Sequence, residues 1–187
     1  MGTSKPERRE AIIAGLGGLG VLTIGQALAE AGKAVYSNVL YFPSYAIAMR
    51  GGASECTVIL SQDRIASPWL SQADAVLVLA PSEAAIYANR TRRGGILMVE
   101  SEGLKNGKLA PEGVKLIKVP ALKLASEMGR SQIANFVLFG AYIAASSALP
   151  VAIVEQELQQ KYGGRKEVLA QNLQAFRRGV KFITGGS

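Results

Sequence analysis

Ala11-Ile-Ile-Ala-Gly15-Leu-Gly17-Gly18-Leu-Gly20-Val-Leu22 decides how this chain folds. Four glycines interrupt an apolar run, and glycine lets a backbone turn sharply or approach another group closely. Residues 9–15 read as a buried parallel strand and residues 22–31 as a helix. Gly15, Gly17 and Gly20 fit the G-x-G-x-x-G spacing of a strand–turn–helix unit that opens an α/β fold. Gly18 lies inside the same turn. Free amides in such a turn, helped by the helix dipole, favour a phosphate or another anion. The same stretch has the outline of a secretory leader, with Lys5 to Arg9 basic and Ala27-Leu-Ala29 like a cleavage site. Glu10 at its mouth and glycines at motif spacing favour the strand and turn. For the same reasons no membrane span is expected.

Working outward, residues 34–39 read as a second strand. A dinucleotide site needs an acid near the end of that strand for the ribose hydroxyls. No acid lies between Glu30 and Glu55, which argues against ordinary NAD binding. The turn is therefore a structural or phosphate feature. A second landmark follows: Tyr41-Phe-Pro43-Ser44-Tyr45-Ala-Ile-Ala-Met49-Arg50-Gly51-Gly52. Ser44, Tyr45 and Arg50 offer hydroxyls and a guanidinium, and Gly51 and Gly52 allow a bulge or close approach. It is either a plain surface loop or a ligand- or partner-facing loop.

The remaining pattern predicts strands at 56–60, 75–80, 96–99 and 115–119. Helices are predicted over 82–92 with Ser82 as N-cap, 121–128, 131–147, 150–161 and 166–180. A small hairpin fits Asn106-Gly107, and Gly94-Gly95 reads as a turn. Val168, Leu169, Leu173, Phe176 and Val180 form an apolar stripe on the last helix. Residues 1–8 read as a flexible N-terminus and 9–187 as one domain. The fold class is α/β: a three-layer, Rossmann-like sandwich with a mostly parallel sheet and a helical C-terminal part.

Composition narrows the chemistry. The chain has 187 residues, 49% of them hydrophobic, so it builds a continuous core. Its net charge is +7, but the basic residues are scattered and no nucleic-acid motif accompanies them. One cysteine and no histidine leave no ligand set for an iron–sulfur cluster or a Cys/His zinc site, and no His-based triad. Cys56 sits in a strand-like run and reads as a structural thiol, and Asp74 as a structural acid.

Taken together, the landmarks resemble the gamma subunit, or gamma domain, of the 2-oxoacid:ferredoxin oxidoreductases (pyruvate, 2-oxoglutarate or 2-oxoisovalerate forms). The carriers are Gly15-Leu-Gly17-Gly18-Leu-Gly20, Pro43-Ser-Tyr45, Met49-Arg50-Gly51-Gly52, Ile65-Ala-Ser67-Pro68 and Ala73-Asp74-Ala-Val-Leu-Val-Leu79. Two positions depart: Leu19 stands where the family usually has Gln, and Ala46 where it usually has Gly. The resemblance implies a cytoplasmic subunit of a complex that converts a 2-oxoacid and coenzyme A to acyl-CoA and carbon dioxide, reducing ferredoxin. It implies no cofactor on this chain alone. Thiamine diphosphate, Mg²⁺ and iron–sulfur clusters would come with thiamine-binding alpha and beta subunits and a ferredoxin-like delta subunit. Gly15, Gly17, Gly18, Gly20, Ser44, Tyr45, Arg50, Gly51 and Gly52 would then face the partners or the coenzyme A end of the active site. An isolated chain would be inactive and could self-associate. The small subunit of indolepyruvate:ferredoxin oxidoreductase and a stand-alone nucleotide-binding protein are the alternatives. Neither nucleic acid nor membrane is an expected partner.

Overall fold

A computed structural model describes residues 8–45, 52–105 and 107–185. The described chain runs β1 (Arg8–Leu16), α1 (Val21–Gly32), β2 (Asn38–Tyr45), β3 (Ala53–Ser61), β4 (Ala73–Val78) and a 3₁₀ turn at Pro81–Glu83. It continues through α2 (Ala84–Ala88), β5 (Thr91–Glu100), β6 (Lys115–Val119), α3 (Ala121–Glu127) and a second 3₁₀ turn at Ser131–Ile133. The helices α4 (Ala134–Ser146), α5 (Val151–Tyr162) and α6 (Lys166–Thr184) complete it. The strands form one sheet in the order β2-β3-β1-β4-β5-β6. Pairs β1–β4, β4–β5 and β5–β6 are parallel, and β3 runs antiparallel to both β1 and β2. The α/β sandwich with a mostly parallel sheet is thus as the sequence predicts.

Burial on both faces explains the unbroken apolar runs of β1 and β4. Ala11, Ile13, Leu77 and Met98 point into the large core under α1 and α4. Ile12, Ala14, Val76, Val78, Leu97 and Val99 point to the other face, where α2 contributes Ala84, Tyr87 and Ala88. The second outer layer is thin, and Trp69 stays 74% exposed although its ring meets Phe42 edge-on at 5.2 Å.

Three predicted elements move. The second strand is not at 34–39: after α1 the chain turns, with Val35 and Tyr36 N–H both donating to the Gly32 carbonyl. The strand is Asn38–Tyr45, so half of the second landmark is an edge strand hairpinned to β3. An edge strand has one side without partners, which tolerates Pro43. The helix predicted over 82–92 shrinks to Ala84–Ala88, and Ser82 makes no capping hydrogen bond. Residues 91–95 extend β5 instead. Gly94-Gly95 is a bulge there, not a turn, since the register jumps from Ala73↔Thr91 to Ala75↔Ile96. Finally, Val168 lies outside the buried stripe of α6; Leu173, Ala175 and Phe176 are buried, whereas Val168 is exposed. Val168 sits one helical step, about 100°, from Leu169 and faces solvent. Asn106 of the predicted hairpin lies outside the described residues, as do residues 1–7.

Helix α4 is apolar nearly all round and is buried between the sheet, α3 and α6. Its crossing with α6 is set by two glycines that face the opposite backbone. A Cβ on Gly140 would overlap the Phe176 carbonyl oxygen, and one on Gly179 would overlap the Val137 carbonyl oxygen. Backbone cannot yield as a side-chain tip can. Gly140→Ala or Gly179→Ala should therefore lower the unfolding free energy by about 3 kcal/mol. Gly164→Ala, where a Cβ meets open space, should change it by less than about 0.5 kcal/mol in the same urea titration.

Candidate functional site

Parallel strands end together, so β1, β4, β5 and β6 open on one carboxyl edge. In open α/β sheets that edge carries the ligand site, where the strand order reverses. Here the reversal lies between β1 and β4. At Gly15 a Cβ would stand 3.1 Å from Leu79 Cβ and 3.2 Å from Val21 Cγ2, so only glycine lets the β1 end, the β4 end and α1 close up without displacement. Gly18 and Gly20 have φ of 92° and 81°, the left-handed region that favours glycine. Gly20 is the N-cap of α1.

The turn and the second landmark meet. Gly17 N–H donates to the Gly52 carbonyl at 2.9 Å, and Leu16 pairs with Ala53 in the β1–β3 ladder. Ser44 and Tyr45 lie beside them, opposite Glu55 and Ser54. Arg50, Gly51 and Ala46 lie outside the described residues.

Between the strand ends and the starts of α1, α3 and α4 lies a cleft of about 580 Å³. That volume falls in the range of small-molecule sites. Leu16, Leu79, Ala121, Leu122, Ala134 and Leu138 give it apolar walls, and Gly18 and Leu19 form one rim. Of the other described landmark residues, Gly15, Gly17, Gly20, Ser44 and Gly52 are not part of its wall. Leu19 is 41% exposed at the mouth.

The polar residues of the lining are Ser82, Glu100, Glu102, Ser131, Gln132 and Asn135. Buried Glu100 accepts the Glu102 and Leu122 N–H groups, both at 2.7 Å. Desolvation pushes its carboxyl above the usual range, and these N–H donors pull it part of the way back. Glu100 is thereby committed to holding the start of α3. Asn135 is only 8% exposed. Its Oδ1 accepts the Phe136 N–H at 3.0 Å, and its Nδ2 lies against Gly20 with no acceptor among the described residues. The cleft thus presents an amide donor left unbonded among the described residues. Among the described residues no Lys or Arg lines it, while Glu100 and Glu102 do. The Gly17 and Leu19 amides are already bonded, to Gly52 and to Leu16. The cleft therefore suits an uncharged, partly apolar group better than a phosphate. Asn135 was legible in principle as the lone polar residue in the run Ile133-Ala-Asn-Phe-Val-Leu138.

The two residues read as structural are placed that way. Asp74 accepts the Glu10 N–H at 3.0 Å and pairs with Arg92. Cys56 is fully buried and donates to the Val21 carbonyl at 3.7 Å. Burial pushes its thiol up to about 12, with the Glu55 charge a smaller cause.

The family described as pyruvate ferredoxin/flavodoxin oxidoreductase matches residues 10–182. The ketoisovalerate oxidoreductase subunit VorA of Methanothermobacter thermautotrophicus is 28% identical over 91% of this chain, and the chain spans 35% of that protein's length. The 2-oxoglutarate synthase subunit KorC of the same organism is 29% identical, with 96% of this chain and 97% of KorC covered. Among solved structures, the gamma subunit of the keto/oxoacid ferredoxin oxidoreductase from Geobacter sulfurreducens superposes with a TM-score of 0.80 at 26% identity. It covers 95% of this chain and 99% of its own.

Two outcomes follow from the geometry. Gly20→Ala should cost about 2–3 kcal/mol, from the left-handed backbone and the overlap with Asn135. Adding Asn135→Ala should return about 1 kcal/mol, a coupling that a double-mutant cycle by urea denaturation reads directly. Strict additivity would remove the contact from the account. For Cys56, the folded state favours the neutral thiol, so stability is flat below pH 9 and falls as pH rises toward about 12. At pH 8 the native thiol should resist a disulfide reagent for hours and react at once in guanidinium.

Proposed function

The chain belongs to the pyruvate ferredoxin/flavodoxin oxidoreductase family, and from that premise we propose that it is the gamma subunit of a multi-subunit 2-oxoacid:ferredoxin oxidoreductase. One observation carries the reading: the chain matches the separate subunit KorC and the separate Geobacter gamma subunit end to end. It matches only a third of VorA, so the whole reaction belongs to a larger assembly. That assembly takes a 2-oxoacid and coenzyme A to acyl-CoA and carbon dioxide, and passes electrons to ferredoxin. Thiamine-binding alpha and beta subunits and a cluster-bearing delta subunit supply thiamine diphosphate, Mg²⁺ and the iron–sulfur clusters. This chain, with one Cys and no His, supplies shape. A cytoplasmic location goes with this reading. Among the described residues no helix is long and apolar enough to cross a membrane.

The carboxyl-edge cleft is the part that faces the chemistry. Its residues fit one portion of coenzyme A and not another. Leu122, Ala134 and Leu138 offer apolar walls and Asn135 Nδ2 a donor, which suits the amide-bearing pantetheine arm. The phosphorylated nucleotide end finds no cation among the described residues of the wall and two carboxylates instead, so it would need a charge from elsewhere. Arg50 is the landmark residue able to give one. Held there, the arm is oriented and screened from water by this chain while the thiamine cofactor supplies the carbon chemistry.

The purified chain alone should reduce no viologen with any 2-oxoacid and coenzyme A. Co-expressed with the thiamine- and cluster-binding subunits, it should co-purify with them and be required for activity. In that complex Leu122→Glu should raise the coenzyme A KM about tenfold, a loss of about 1.4 kcal/mol, with the 2-oxoacid KM unchanged. Arg50→Ala should weaken either assembly or the coenzyme A KM. Turnover by the single chain, or a complex fully active without it, would overturn the proposal.

A further inference from the structure

At the opposite, amino edge of the sheet, β1, β4 and β5 begin beneath the C-terminal turn of α4. A second cavity of about 280 Å³ lies there, lined by Arg9, Asp74, Arg93, Gly94, Tyr142 and Ser146 among others. The cations around it divide into two sets. Arg8 and Arg92 are neutralised: Arg8 Nε donates to Glu10 at 2.8 Å, and Arg92 donates to Glu10 at 2.6 Å and to Asp74. These two arginines and two carboxylates balance. Arg9 and Arg93 have no ion pair and no hydrogen-bond acceptor among the described residues. The Arg9 Nε–H is itself buried and unsatisfied. A guanidinium carries five donors and does not deprotonate, so a buried one without an acceptor is costly and calls for a ligand.

Neighbouring groups cannot absorb the charge. Asp74 is committed to Arg92 and to the Glu10 N–H. Tyr36, packed in the core, donates its hydroxyl to the Ala148 carbonyl at 3.1 Å. The carbonyls ending α4 lie close by, yet none accepts from Arg9. The local surplus is therefore two positive charges around a cavity that also carries the Tyr142 and Ser146 hydroxyls.

We propose that this amino-edge cavity binds a phosphate group between Arg9 and Arg93. The charge of a phosphate dianion matches the surplus of two. Its oxygens suit two guanidinium forks better than a single carboxylate does. The cavity admits one such group with its waters. The site is separated from the carboxyl-edge cleft by the length of the sheet and does not depend on the subunit reading above.

The test is calorimetry and thermal melting of the full chain with inorganic phosphate, with sodium acetate and chloride at equal ionic strength as controls. Phosphate should bind saturably and raise the melting temperature beyond either control. Arg9→Gln and Arg93→Gln should each weaken phosphate binding at least tenfold, while Lys123→Gln on α3 leaves it unchanged. Arg93 is exposed, so Arg93→Gln carries the test even if Arg9→Gln fails to fold. A glycerol 3-phosphate arm separates the sources: tighter binding than the free ion supports an ester ligand, weaker binding free phosphate. A phosphate response equal to that of acetate or chloride, or one untouched by Arg93→Gln, would overturn the proposal.

Discussion

The space denied to a side chain at Gly20 is the constraint on which the rest of the structure depends. Its backbone is left-handed, and the Asn135 amide occupies the place a Cβ would take. Helix α1 therefore starts directly against the start of α4. Gly15 brings the end of β4 to the same point, and the Gly17–Gly52 hydrogen bond ties in the β2–β3 hairpin. Two helices, two strand ends and a hairpin are thus located relative to one another by a short run of backbone. The cleft opens beside that contact, between the β1 turn, the ends of β4 and β5, and the starts of α3 and α4. Asn135 lines it because Asn135 is the residue at the contact.

The sheet is dressed unequally. On one face α1, α4 and α6 build a deep core, with α4 and α6 drawn together until glycine meets carbonyl. Such close approach fixes α4 rigidly, which matters because α4 carries one wall of the cleft. On the other face a helix of five residues, Leu70 and the 104–114 segment (Leu104, Leu109, Ala110 and Val114) are the cover. Trp69 and Ile86 remain largely exposed there. The rigid side of the molecule and the cleft belong together; the thin side is elsewhere.

Much of this was legible in the sequence, and the exceptions share a cause. The β1 turn, β4, β6 and the C-terminal helices carry strong local signals: apolar runs, glycine stops and helical stripes. The edge strand β2 is harder to place, because Pro43 sits inside it and only the open side of the strand admits a proline. The start of β5 reads as polar and glycine-rich. Arg92 is tolerated there because Glu10 and Asp74, 82 and 18 residues away in the chain, meet it. Such partners are invisible to local pattern. The cleft was half legible: Gly18 and Leu19 belong to the quoted turn, but Asn135 and Leu122 enter from elements a hundred residues later. A phosphate reading of the turn was natural from glycines alone. It weakens once the Gly17 and Leu19 amides are seen to be bonded and the wall to hold no cation among the described residues.

The same accounting explains why a charge of +7 did not translate into a polyanion-binding face. Arg90 meets Glu55 at 2.7 Å, Arg177 meets Glu155 at 2.7 Å and 3.0 Å, and Arg130 and Arg178 meet Glu167 and Glu127. These pairs spend cations on joining elements, and each leaves less field for a distant partner. What remains is polarised along the strands. Among the described residues the amino edge keeps two unmatched guanidinium groups, and none lines the carboxyl-edge cleft. At the carboxyl edge Leu19 and Leu122 are instead left open to water at the rim of an apolar cleft. Water is a poor neighbour for both, at about 25 cal/mol for each Å² of apolar surface. A face built this way gains most by being covered.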